Sequence, residues 1–265
     1  TETDKSEHLP DGDIFSLDRI LEYVASQPDS AINRRDRAAL GILRMGRRSG
    51  EALAVTRDDV VFKDGVPYLR VTKQVQGADT EANTKKNKRS ELPIPTELVP
   101  FVLATYEGVE VKSRTQVEGK RGGKVWQSST ETILPRFLIP SLNPRERRKG
   151  QEHMTYWWLY HRVVGLGGKA GVPCTPHMLR AVFGTNMDED PSLTDKERGT
   201  AMAQTQFLRK PYSVARRKKV DAAVLNIKLG GRKDEAEGSD RLAAAAAQLG
   251  IDVDLARQLA AMIDA

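Results

Sequence analysis

A chain of 265 residues has room for one large domain or two modest ones. Its 39% hydrophobic and 6% aromatic content supports a folded core, and no apolar stretch approaches the ~20 residues a membrane-spanning helix needs. The single cysteine, Cys174, excludes an intrachain disulfide framework or a cysteine-rich zinc site, fits a reducing compartment, and reads as a small buried apolar residue.

The net charge of +6 hides an asymmetry. The first 40 residues carry 5 basic and 9 acidic side chains, and the last 34 carry 4 and 7. The middle therefore holds 33 basic against 20 acidic. A basic body between acidic ends is the footprint of a polyanion-binding surface.

Residues 1–12 read as a polar, acidic lead-in without a secretory pattern. Ile14, Leu17, Ile20, Leu21 and Val24 have helical spacing, and Asp36 to Met45 is a second helical run. Ser49 is placed to cap a short helix carrying Ala52, Leu53 and Val55. Val60-Val61-Phe62 and Tyr68-Leu69-Arg70-Val71, joined through Asp64-Gly65, read as a hairpin. A third strand is expected at Ser90 to Ile94, after a long polar turn from Gln76 to Arg89.

Pro95-Thr96 begins a helix through Leu98, Val102 and Tyr106, and residues 111–124 (Lys112, Arg114, Lys120, Arg121, Lys124) read as an exposed basic loop. A helix is expected from about Gln151 to Val164, with the cluster Tyr156-Trp157-Trp158-Tyr160 packing in the core in preference to stacking on bases. Thr175 caps a helix that has Pro176 in its first turn and ends near Asp188-Glu189-Asp190-Pro191. Helices from Asp195 to Gln204 and after Tyr212 follow, then a tail from Asp240 with two more (Leu242 to Leu249 and Val253 to Ile263). The expected fold is mainly α with a small three-stranded antiparallel sheet (α+β). Its expected parts are residues 1–34 as lead-in and helix, 35–230 as the functional body and 231–265 as a helical tail.

A set of scattered residues gains meaning when taken together. Gly46-Arg47-Arg48-Ser49-Gly50-Glu51 closes a helical run, Lys85, Lys86 and Lys88 lie on the polar turn, and Thr175-Pro176-His177-Met178-Leu179-Arg180 opens a helix. Tyr212 precedes the basic run Arg216-Arg217-Lys218-Lys219. Breaking a phosphodiester builds negative charge on its non-bridging oxygens, and guanidinium groups answer it bidentately; Arg48 and Arg180 are the candidates. Tyr212 supplies an attacking oxygen, and its phenol, with a pKa near ~10, needs a base or a positive field. His177 can take that proton, and a lysine on the turn, Lys85 or Lys86, can protonate the leaving oxygen.

The order and context of these residues resemble the tyrosine recombinase (phage integrase) family, over about residues 35–225. The resemblance implies a catalytic domain with a three-stranded sheet on a helical body, the general-acid lysine lying between the second and third strands. Arg48, Lys85, His177, Arg180 and Tyr212 match the family's order of Arg, Lys, His, Arg and Tyr, and Glu91-Leu92-Pro93-Ile94-Pro95 resembles its third strand.

The family places a His or Trp about nine residues before the tyrosine, whereas this chain reads Ala201-Met202-Ala203-Gln204-Thr205-Gln206. Gln204 is the nearest polar substitute, able to donate a hydrogen bond but not to act as a base. Family members commonly carry an N-terminal clamping domain, and only about 35 residues precede the matching region here.

The expected function is therefore site-specific DNA strand breaking and rejoining through a 3′-phosphotyrosine intermediate, without metal or other cofactor. A weak or inactive DNA-binding relative and a type IB topoisomerase-like enzyme are the alternatives. Double-stranded DNA is the expected partner, touched by Lys88, Arg89, Lys120, Arg121, Lys124, Arg216 and Arg217. A homo-oligomer (a tetramer) on DNA, no membrane, and a cytoplasmic, nucleoid-associated location complete the expectation.

Gly165-Leu166-Gly167-Gly168-Lys169 lacks the preceding strand of a phosphate-binding loop and reads as a helix stop. His153 and His161 lack metal-ligand spacing.

Overall fold

A 3₁₀ turn, Ile14–Asp18, runs into α1 (Arg19–Ala25), and Leu17, Ile20, Leu21 and Val24 bury the apolar stripe their spacing announces. The computed structural model describes residues 14–76, 80–83, 90–118, 124–190, 192–194, 197, 198, 201, 214–227 and 229; for some, 112–118 and 214–219 among them, it describes the backbone alone. Helix α2 (Ala31–Arg44) starts five residues ahead of the expected Asp36, because Ser30 provides a cap whose hydroxyl accepts from the Asn33 amide at 3.2 Å. Leu40, Ile42 and Leu43 on α2 are fully buried. This helix is the axle of the molecule, packing against α1, α3 (Ser49–Ala54), α4 (Val99–Val102), α6 (Tyr156–Lys169) and α7 (Pro176–Glu189).

The expected three-stranded antiparallel sheet is present, with β2 (Val66–Val71) between β1 (Val60–Lys63) and β5 (Ser90–Pro93). Asp64 and Gly65 both adopt positive φ, 51° and 80°, as the tight turn of a two-residue hairpin requires. The register sets Val60 opposite Leu69 and Leu69 opposite Leu92, which aligns three buried side chains across the sheet. The fold is thus mainly helical with a small antiparallel sheet.

Several expectations are corrected. The stretch from Gln76 to Arg89 is not one turn, because β3 (Lys73–Gln76) pairs with β4 (Thr80–Asn83) as a separate hairpin. The helix expected from Pro95 to Tyr106 is a 3₁₀ turn, Thr96–Leu98, and the short α4.

The expected basic loop at 111–124 is corrected where it is described. Residues 111–118 lie in β6 (Val109–Glu118) and Lys124 opens β7 (Lys124–Ile133), which pair as a ten-residue antiparallel ribbon, while 119–123 lie outside the described residues. Alternating β-branched residues (Val109, Val111, Thr115, Val117) favour the strand over a coil. Among its described side chains the buried ones are Val109 and Val111, at the root.

A short helix, α5 (Pro144–Arg148), precedes α6. The latter starts at Tyr156, later than expected, because the Thr155 hydroxyl accepts from the Trp158 amide at 3.3 Å. It also runs through the glycine-rich stretch to Lys169, and a Cβ on Gly167 would approach the Val172 carbonyl to 2.6 Å. The buried stripe of α6 is Leu159, Val163 and Leu166. Tyr156, Trp157, Trp158 and Tyr160 are exposed, contrary to the expectation that they pack in the core.

Helix α7 begins at Pro176 with Thr175 as its cap and ends at Glu189, as the sequence indicates. The expected helix from Asp195 to Gln204 is described only at Glu197, Arg198 and Ala201, and the tail beyond 229 lies outside the described residues. After Tyr212 comes α8 (Val214–Leu225), packed on β5 through a face that buries Val220, Ala223 and Val224.

Candidate functional site

The site begins where α2 stops. Gly46 takes a φ of +74°, and a Cβ there would meet the Phe183 ring at 2.5 Å. Both constraints require glycine. The chain then turns sharply, and Arg47 and Arg48 lead into α3.

Arg48, not the expected Ser49, is the residue that caps α3. Its extended backbone presents its amide to Glu51 Oε2 at 2.9 Å, while its Nη1 donates to Glu51 Oε1 at 2.9 Å. A buried carboxylate thus holds one edge of the guanidinium, and the side chain remains 51% exposed. Glu51 was visible in the sequence only as the last member of G-x-R-x-x-E, and its work is to aim Arg48.

Helix α7 supplies the second motif. The Thr175 hydroxyl accepts from the Met178 amide at 3.3 Å. His177 and Arg180, three residues apart, share one helical face. His177 is exposed and Arg180 is buried. Arg180 Nη1 donates to the carbonyl of Gly46, joining the two motifs.

Burial first, and then the positive charge of Arg48, push the Arg180 guanidinium down to about 10; Glu51 opposes the shift and Arg47 adds to it. Arg180 is 7% exposed, and holding its charge there costs on the order of 3 kcal/mol relative to water. The group is still a cation at neutral pH. Two guanidiniums from distant parts of the chain therefore share one electrostatic neighbourhood, in which Glu51 acts on Arg180.

Both ends of the lysine-bearing segment are anchored here. Gly50, two residues past Arg48, lies so close to β3 that a Cβ would come within 2.5 Å of the Val75 carbonyl. At the other end, Ser90 opens β5 and its Oγ accepts from Arg47 Nη1 at 2.8 Å. Lys85, Lys86, Lys88 and Arg89 themselves lie outside the described residues, as do Gln204 and Tyr212.

Helix α8 starts two residues after Tyr212, and Tyr68 on β2 donates to Asp221 of that helix at 3.3 Å. Arg216 and Arg217 fall on its first turn, where the backbone alone is described. Lys124 is exposed at the start of β7, opposite Glu118, while Lys120 and Arg121 lie outside the described residues.

Other sequence candidates have structural roles. His153 is buried, its Nδ1 2.9 Å from the Met154 carbonyl and its ring 5.1 Å from that of Phe137. Cys174 is buried. Among the described residues, no group of three or more His, Cys, Asp or Glu could hold a metal ion, and no helix is long and apolar enough to cross a membrane.

No family model matches the chain, and no curated protein matches it. Among solved structures, the chain is similar to the XerH site-specific recombinase bound to its difH substrate in a pre-cleavage complex. The identity is 17% and the TM-score 0.46, over 72% of this chain and 46% of that one. The post-cleavage complex of XerH on a palindromic difH substrate matches with 17% identity and a TM-score of 0.45, over 72% of this chain and 45% of that one. The chain spans less than half the length of these structures.

Proposed function

We propose that this chain is the catalytic part of a site-specific DNA recombinase. The observation that carries the reading is the contact between Arg180 and the Gly46 carbonyl, which brings H-x-x-R and G-x-R-x-x-E, the two arginine motifs, to one place. Two guanidiniums there suit the two non-bridging oxygens of a phosphodiester, and preorganised donors of this kind stabilise the charge that develops during attack.

In this reading the Tyr212 oxygen attacks phosphorus and His177 takes the phenolic proton. The bond to the 5′ oxygen breaks, and Lys85 or Lys86 protonates the leaving hydroxyl. The DNA 3′ phosphate is left on Tyr212. The phosphotyrosine diester conserves the bond energy, so a 5′ hydroxyl from a partner duplex reverses the step and completes strand exchange. Exchange requires two duplexes held together, which favours a homo-oligomer, a tetramer, on DNA in the nucleoid. Lys88, Arg89, Lys120, Arg121, Lys124, Arg216 and Arg217 would supply phosphate contacts, giving an affinity that falls steeply with salt.

The stretch Ala201-Met202-Ala203-Gln204-Thr205-Gln206 contains neither His nor Trp, which favours a second reading as a DNA-binding relative with weak or no cleavage. A suicide duplex separates the two. Incubation should yield a covalent adduct that survives denaturation and disappears in Tyr212→Phe. Site-specific binding without any adduct would leave the second reading, and relaxation of supercoiled plasmid without site preference would indicate a topoisomerase-like enzyme.

A further inference from the structure

Arg47, between the Gly46 turn and Arg48, has no part in the proposed chemistry, and its surroundings are unusual. It is 1% exposed. Nη1 donates to Ser90 Oγ, while Nε and Nη2 are buried without a hydrogen-bond partner among the described residues. Among the described residues the acid whose charge acts on it is Glu51, and both oxygens of that carboxylate are committed to Arg48. Burial first, with Arg48 adding, pushes the Arg47 guanidinium down to about 10.

A buried charge is ordinarily paired, and an apolar side chain of similar volume is often as stable or more stable in its place. Arg47 therefore does not look like a stabilising element of the DNA-free fold. Arg47, Arg48 and Arg180 act on one another electrostatically, and Glu51 is the carboxylate they share. Arg47 is buried where a fixed charge acts strongly.

We propose that Arg47 is a positioning residue of the phosphate site. It is a buried cation behind Arg48 and Arg180 whose charge is offset when a phosphate binds to those two, and its bond to Ser90 fixes the start of the strand that follows the lysine-bearing segment. This inference rests on the phosphate site proposed above. Arg47 acts on the phosphate through its field and through Ser90, without touching it. Glu51 compensates the Arg47 charge in part, and a phosphate on Arg48 and Arg180 would offset the remainder.

The test is the melting temperature of the full chain titrated with sodium pyrophosphate at constant ionic strength, since a ligand of the folded state raises it by mass action. Wild type should show a saturable rise. Arg47→Met should melt at or above wild type without anion, yet need roughly tenfold more pyrophosphate for the same rise, as expected for loss of a charged interaction. Arg47→Lys, which keeps the charge, should recover most of the response.

An Arg47→Met protein with the wild-type pyrophosphate midpoint would overturn the inference, whatever its melting temperature. If Arg47→Met does not fold, Arg47→Gln against Arg47→Lys decides. A weakened response in Gln alone supports the role, and equal responses overturn it. Arg48→Ala separates the two levels of the argument. A pyrophosphate response that survives it removes the phosphate site itself, whereas a response lost in Arg48→Ala and intact in Arg47→Met removes only the role of Arg47.

Discussion

Arg180 on α7 donates to the main-chain carbonyl of Gly46, 134 residues earlier in the chain. Gly46 is held at positive φ against Phe183 of the same helix. The end of α2 and the start of α7 are therefore locked together by a hydrogen bond and by a ring contact. Arg48 and Arg180 cannot be placed independently of one another.

That coupling predicts non-additive kinetics. Arg48→Ala and Arg180→Ala should each lower single-turnover adduct formation on a suicide duplex by roughly 10²–10³-fold, as removal of one transition-state donor does. The double variant should lose less than the product of the two. Multiplicative losses would mean that the arginines act separately.

A second prediction concerns the root of the fold. Arg44 donates Nε and Nη2 to the two oxygens of Asp18 at 2.7 and 3.1 Å, and neither side chain is more than 2% exposed. Removing one partner of a buried pair leaves the other charge stranded, so Asp18→Ala should cost about 3–5 kcal/mol in urea unfolding. The Arg136–Glu152 pair, half exposed on both sides at 3.6 Å, should contribute no more than about 1 kcal/mol. Similar losses from Asp18→Ala and Glu152→Ala would contradict the assigned burial.

Cys174 gives a third. Burial, with the charge of Asp18 adding, pushes its thiol up from 9.0 to about 12. The folded protein should react slowly with a thiol reagent at pH 8, and the unfolded chain rapidly. An acid with a raised folded-state value binds its proton more tightly when folded. Its contribution to stability is whole below pH 9 and is lost as pH rises toward 12. Cys174→Ala should therefore lose less melting temperature than wild type between pH 9 and 11; an identical decline would refute the shift.

The sequence was most legible where a local signal had a single structural solution. Thr175-Pro176 could only open a helix, and Asp64-Gly65 matched a two-residue hairpin turn; both formed as expected. The ribbon is harder to read, because Lys112, Arg114, Lys120 and Arg121 point to a basic loop, while the alternation of Val109, Val111, Thr115 and Val117 points to a strand. The aromatic run has the apolar content of a core segment but not its helical phase. Leu159, Val163 and Leu166 define the buried stripe of α6, and Trp157 and Trp158 fall off it.

Arg47 had no distinguishing mark, since a basic pair at a helix end usually faces water. Only tertiary packing against Ser90 reveals its burial. Tyr212 and Lys85 remain readings of the sequence, joined to the described site through α8 and β5.

The placement of the aromatic run also governs how this molecule would glow. The chain has three tryptophans, and Trp126, Trp157 and Trp158 are 66%, 59% and 54% exposed. All three indoles already sit in a watery environment in the native state. Their emission should resemble that of free indole in buffer and barely shift on denaturation. The same dyes are well placed to report whatever covers the outer face of α6 or the β6–β7 ribbon, by a blue shift on contact.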